Sequence, residues 1–249
     1  PQEYKDNGIK VAVFNDWAPD EYLDSDGQLK GWSVDIAKEM EERLGVPFTF
    51  VRTSFDAIIP GIQSKRFDAG CSSFGTTEER LKTMDFVAQR KIGTSFGYPM
   101  DSKLDIKTAT DACGITVAVL NGSWDVGLLE KLNANECKDN LIVLQTHGTQ
   151  AQAELAVRSG RAEATVAASV KLSYMASQTS DLKVSELVLD PVNSCIGLRK
   201  GDPLGQVMAD TIQSMIDDGT YKEIMAKWGI DDSGMLTKAL LITEKNPDL

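Results

Sequence analysis

Apolar and polar positions alternate between two periods along the chain, and the period switches repeatedly. Lys10–Phe14 is a short β-rich run. Ser33–Leu44 carries Ile36, Ala37, Met40 and Leu44 on one helical face, with Ser33 as the predicted N-cap. Pro47–Thr53 reads as a strand with Phe48 and Phe50 on one side, Asp56–Ser64 as a short helix, and Phe67–Ser72 as a strand. Thr76-Thr77-Glu78-Glu79 fits a capping box, with Thr76 and Glu79 as the reciprocal partners.

A second series follows: strand Gly114–Leu120, turn Asn121-Gly122-Ser123, helix Trp124–Leu132, strand Leu141–Gln145, helix Gln150–Ser159 and strand Ala162–Ala168. Val184–Leu189 and Cys195–Leu198 read as strands, Leu204–Ile216 and Thr220–Trp228 as helices. Lys65-Arg66 and Gly160-Arg161 punctuate the two series at matching places. The alternation predicts an α/β protein of two similar units, with no solenoid repeat.

Composition narrows the function. The chain has 249 residues, 42% hydrophobic and 25% charged, with a formal net charge of −11. That is globular composition, long enough for one large or two small domains. The acidic balance argues against nucleic acid and anionic membranes as partners. No apolar run approaches the roughly 20 residues of a membrane span. The chain opens at Pro1 with no secretory leader in view, and the expectation is a leader already removed. Cys71, Cys113, Cys137 and Cys195 form no C-x-x-C pair, and His147 is the only histidine, so neither a metal site nor a cofactor is expected.

Five motifs, in register from about Val11 to Trp228, are Gly31-Trp32-Ser33-Val34-Asp35-Ile36-Ala37, Phe55-Asp56-Ala57-Ile58-Ile59-Pro60, Ser64-Lys65-Arg66-Phe67-Asp68-Ala69, Thr77-Glu78-Glu79-Arg80 through Asp85-Phe86, and Leu198-Arg199-Lys200-Gly201-Asp202. Together they resemble the extracytoplasmic solute-binding proteins of amino-acid-type (polar amino acid, family 3) ABC transporters. The resemblance implies a two-lobe, type II periplasmic-binding-protein-like α/β fold with a hinge and a central ligand cleft. Lobe 1 would be 1–96 plus 191–249, and lobe 2 would be 97–190. It further implies a monomer that captures a small carboxylate-bearing ligand and docks on a membrane permease. The location would be extracytoplasmic, either the periplasm or a Gram-positive cell surface with a lipid anchor. The Cys113 and Cys137 positions resemble a disulfide of actinobacterial members, which suits an oxidising compartment. Cys71 and Cys195 lie in apolar strand patterns and are expected to be buried thiols.

The same resemblance assigns ligand contacts. Arg80 stands where the family grips the ligand carboxylate, a task suited to a bidentate guanidinium. Ser72, Ser73 and Gly75 would offer hydroxyl and amide donors, and Thr77 either assists or only caps a helix. Trp17 and Phe55 match the aromatic walls, with core packing as the plainer alternative. Asp20 and Glu21 either meet a cationic ligand group or are solvated loop acids. Ser123 and Trp124 match contacts at a helix N-terminus, a natural anion site, although a capping Ser and a core Trp would look the same. His147 reads as an ordinary loop residue.

One departure matters. The family's acid for the ligand α-ammonium is replaced by Ala168, leaving Ser169 as a neutral acceptor. On that basis the ligand is not expected to be a simple α-amino acid. A carboxylate with a flat or methylated body between Trp17, Phe55 and Trp124 fits better, unless another acid serves. No catalytic residue is assigned. A dehydratase-like periplasmic enzyme on the same fold and a receptor's sensing module are the alternative functions.

Overall fold

The computed structural model describes residues 2–230 and 234–248. Two compact units divide the chain: Pro1–Lys91 with Val192–Leu249, and Ile92–Pro191.

In the first unit, helix α1 (Gln2–Asn7) leads into strand β1 (Ile9–Val13). A small hairpin sheet follows, made of β2 (Asp16–Trp17), β3 (Glu21–Leu23) and β4 (Leu29–Lys30). Next come α2 (Trp32–Leu44), β5 (Phe48–Arg52), α3 (Phe55–Gln63), β6 (Ala69–Phe74), the one-turn α4 (Glu78–Leu81) and the long β7 (Met84–Pro99). Strand β1 pairs in parallel with both β5 and β6. Parallel strands need a crossover, and α2 and α3 supply it by burying Ile36, Ala37, Met40, Ile58 and Ile62.

The predicted cap of α2 is corrected. Gly31, not Ser33, is the N-cap, at φ 138°, where a Cβ would lie 1.8 Å from the Asp20 carbonyl oxygen. Ser33 lies inside the helix, its hydroxyl donating to Gln89 Oε1 at 2.9 Å.

In the second unit, β8 (Thr116–Leu120), α5 (Trp124–Ala134), β9 (Val143–His147), α6 (Gln150–Arg158), β10 (Ala164–Ala168), α7 (Ser169–Gln178) and β11 (Leu182–Val184) follow in order. Strand β8 pairs in parallel with β9 and β10, and β10 and β11 pair antiparallel with the far end of β7. Phe96, Val117, Val119, Leu129, Ile142 and Val166 form its core.

The chain returns to the first unit in β12 (Leu189–Arg199), which pairs antiparallel with β6. Helices α8 (Leu204–Asp218) and α9 (Thr220–Lys227) pack against α2. A tail then adds β13 (Leu241–Ile242) to the near end of β7, burying Ile242. Among the described residues, no helix is long and apolar enough to cross a membrane.

Cys113 and Cys137 form the expected disulfide, with Cα atoms 5.1 Å apart and a sequence separation of 24. Cys71 and Cys195 are buried free thiols. Closing a loop of that size is worth about 3 kcal/mol. A Cys113→Ser/Cys137→Ser variant should lose about that much stability in urea titration, and the denatured, unreduced native protein should titrate two thiols. Four thiols would refute the bridge.

Candidate functional site

The carboxyl ends of parallel strands gather the loops and helix N-termini that follow them, which makes such an edge the usual place for a ligand. In the first unit, this edge holds Phe14–Trp17 after β1, Phe55 at the start of α3 after β5, and Ser72–Arg80 at the end of β6.

Phe14 is the hub of the aromatic group. Its ring centroid lies 6.5 Å from Trp17 and 5.8 Å from Phe55, and Phe55 lies 5.1 Å from Phe74. Trp17 and Phe55 are 7% and 8% exposed, so both are largely embedded in this cluster. Ser72 accepts the Phe14 amide N–H at 2.8 Å and thereby ties the ends of β1 and β6 together.

Ser73 has a positive φ of 47°. Its Oγ lies 2.7 Å from Asp20 Oδ2 and 3.1 Å from Glu21 Oε2. Asp20 also accepts from Trp32 Nε1 at 2.8 Å. Asp20 and Glu21 are 2% and 0% exposed, which overturns their reading as solvated loop acids. Two carboxylates out of water demand donors, and Ser73 and Trp32 are among those that meet the demand.

Arg80 sits in α4 with Nη1 donating to the Gly75 carbonyl at 2.6 Å and its guanidinium carbon 5.7 Å from the Phe74 ring centroid. Its backbone N–H donates to Thr77 Oγ1 at 3.1 Å, so Thr77 is the N-cap. The capping box read on Thr76 is therefore corrected. The Thr76 hydroxyl instead donates to the Asp248 carbonyl at 3.1 Å, a partner 172 residues away that no local motif reveals. The Gly75 carbonyl fixes one edge of the guanidinium, and Phe74 lies beside it.

In the second unit, the corresponding edge carries the N-termini of α5, α6 and α7. Ser123 is the N-cap of α5 in extended conformation without making a cap bond. Its Oγ and the Trp124 Nε1 are buried and lack hydrogen-bond partners among the described residues. Ala168 ends β10 opposite Thr94, and Ser169 opens α7.

Sequence reasoning passed over two features of this edge. Gln150, at the start of α6 and 0% exposed, donates from Nε2 to Thr165 Oγ1 at 3.3 Å, while its Oε1 lacks a partner among the described residues. Lys171 and Glu154 form a buried ion pair at 3.1 Å. The signal for Gln150 lay in its place directly after the Thr149 cap of a helix following a parallel strand. His147 Nε2 lies 3.2 Å from Gln145 Oε1, and burial together with Arg161 pushes its pKa below 6.5.

Burial pushes the Cys71 thiol up to about 12, with Glu21 adding to the shift. An unfolded thiol ionises near pH 8.5–9, so the folded state alone keeps this proton as pH rises toward 12. Stability is therefore fully present below pH 9 and falls above it, by about 1.4 kcal/mol per pH unit for such a group. Denaturation curves between pH 8 and 10.5 should decline less steeply for Cys71→Ala than for the native chain. Identical slopes would show that Cys71 is accessible.

The comparisons agree on one family. The model for bacterial extracellular solute-binding proteins, family 3, matches residues 9–231. The arginine-binding protein ArgT of Corynebacterium glutamicum is 31% identical over 251 residues, covering 97% of this chain and 80% of that protein. A crystal structure of a mutant ArgBP from T. maritima superposes with a TM-score of 0.83 at 30% identity, covering 92% of this chain and 98% of the other. An ancestral amino acid-binding protein, described as a precursor of cyclohexadienyl dehydratase, superposes with a TM-score of 0.82 at 29% identity, covering 91% and 98%.

Proposed function

Because the chain belongs to the bacterial extracellular solute-binding proteins of family 3, we propose that it is the extracytoplasmic receptor of an ABC importer. It captures a small carboxylate-bearing ligand, an amino-acid derivative or related organic acid, and delivers it to a membrane permease. The observation that carries the reading is Arg80. Its guanidinium is held on the Gly75 carbonyl just after the carboxyl end of β6 and lies over the Phe74 ring, which in turn packs on Phe55 in the aromatic cluster with Phe14 and Trp17. A fixed guanidinium binds a carboxylate through charge-assisted, paired hydrogen bonds, and the aromatic rings cover the apolar body. Ser73 and Gly75 are the polar backbone and side-chain groups nearest to that corner in sequence, and Thr77 supports it as a cap.

The second unit carries a polar surface of its own. The α5 N-terminus at Ser123 and Trp124 has a positive dipole end and two buried side-chain donors without a partner among the described residues, which suit an anionic or polar ligand group. Ala168 and Ser169 contribute no charge. Binding without catalysis is the reading these groups support, since Lys171 and Glu154 are engaged with each other rather than standing as an acid or base for a substrate. The ancestral neighbour's link to a dehydratase makes a turnover assay on any bound ligand the direct check of this point. The relatives' arginine ligand and the family's extracellular setting support an imported solute of amino-acid type.

The test is a calorimetric panel of L-arginine, L-histidine and their amine-free counterparts, 5-guanidinopentanoate and imidazolepropionate. Arg80→Ala should weaken whichever carboxylates bind by at least about 30-fold while the fold is retained. A ligand present at about 100 times its dissociation constant should add roughly 2.7 kcal/mol to the stability of the native chain. A folded Arg80→Ala variant with undiminished affinity would sink the assignment.

A further inference from the structure

The chain passes between the two units twice, in β7 at Lys91–Ile92 and in β12 at Pro191–Val192. Any turning of one unit against the other would have to be absorbed as backbone torsion at these crossings. On the first-unit side, both are fastened by one segment, the tail from Gly234 to Asp248.

The tail follows β7 up to the boundary. Ile242 and Leu241 pair with Phe86 and Val87, and the Leu240 carbonyl accepts the Ala88 N–H at 3.0 Å. The link then runs through the buried Tyr221. Its hydroxyl donates to the Gln89 carbonyl at 2.7 Å and accepts the Leu236 N–H at 3.2 Å. Gly234 passes so close to Lys91 that an added Cβ would lie 2.5 Å from the Lys91 carbonyl oxygen. From Thr94 onward, β7 pairs with β10 instead.

The far end of the tail reaches the second crossing. The chain turns at Thr243–Asn246, with reciprocal backbone hydrogen bonds of 3.2 and 3.0 Å. Asp248 Oδ2 then accepts from Asn193 Nδ2 at 3.1 Å, on the residue after Val192. The Asp248 carbonyl accepts from Thr76 Oγ1 at 3.1 Å, which ties the same end to the loop after β6.

The crossings need such fastening because their polar groups are only partly spent. Gln89 Nε2, Asn193 Oδ1 and Ser194 Oγ are buried without hydrogen-bond partners among the described residues. All three lie within a few residues of the boundary. Unpaired buried groups raise the free energy of the arrangement that leaves them so, and favour any local rearrangement that pairs them. We propose that the tail is a latch on the two crossings. It holds β7 and β12 in one arrangement at the boundary against the pull of these unpaired groups, and its release frees both strands to bend. The matched family pattern ends at residue 231, so the latch lies on a segment outside it. The latch stands apart from the carboxylate reading of Arg80 and is tested without a ligand.

The experiment is hydrogen exchange of the full chain, read by mass spectrometry on peptides covering 84–92, 190–197 and 234–243, with β1 and β8 as references. Tyr221→Phe removes the link to Gln89, and Asp248→Ala removes the link to Asn193. Each single variant should speed exchange about 10-fold or more in both crossings and in the tail, while the reference strands stay within about twofold of native. Strands β7 and β12 are neighbours in the sheet, so loosening of one spreads to the other even without a latch. The double variant separates the two routes. A latch opened at either end is already open, so the double variant should exceed the faster single by no more than about twofold, whereas independent contacts multiply their effects. Melting curves report whether each variant is folded. Asp248 is half-buried near the end of the tail, so if Tyr221→Phe does not fold, the 84–92 peptide in Asp248→Ala decides. The latch is overturned by exchange that is unchanged, that rises only in the strand whose contact was removed, that rises alike in every strand, or that multiplies in the double variant.

Discussion

A parallel strand can reach its neighbour only by a crossover, and that constraint organises both units of this protein. Each crossover starts at a strand's carboxyl end and usually enters a helix by its N-terminus. Loops, unpaired amide groups and positive dipole ends therefore accumulate on one edge. In the first unit, that edge receives Phe14, Trp17, Phe55 and the segment from Ser72 to Arg80. In the second, it receives Ser123, Trp124, Gln150 and Ser169. Residues distant in sequence meet there because the topology leaves them no other place.

The first unit fixes its edge with buried polar groups rather than apolar packing alone. Asp20 and Glu21 are buried within hydrogen-bond reach of Ser73, and Asp20 also takes the Trp32 indole N–H. Beneath them, Ser33, Cys71 and Gln89 form a chain of contacts, with the Ser33 hydroxyl 3.0 Å from the thiol and 2.9 Å from Gln89 Oε1. Such a network is costly if any member is removed, because the remaining groups stay buried. It supports the positive φ of Ser73, which an isolated peptide would avoid, by engaging the Ser73 hydroxyl. Gly31 belongs to the same device, since only a residue without Cβ can pass so close to the Asp20 carbonyl.

Most of the alternating architecture was legible because helices and strands have different periods, and local signals fix where each begins within a few residues. The helix from Trp32 to Leu44 and the strands β1, β5, β8 and β10 follow directly from those periods. Elements whose pattern is neither period were not legible. Strand β7 is buried along most of its length and runs through sixteen residues without clean alternation. Helix α7 opens directly from β10 at Ala168-Ser169 with no side-chain cap, so nothing in the sequence marks its start. The candidate site divides in the same way. Arg80 and Thr77 lie within a local motif, and their contacts to Gly75 and to each other span five residues or fewer. The burial of Asp20 and Glu21 depends on Trp32 and Ser73, which reach them only after the sheet has formed.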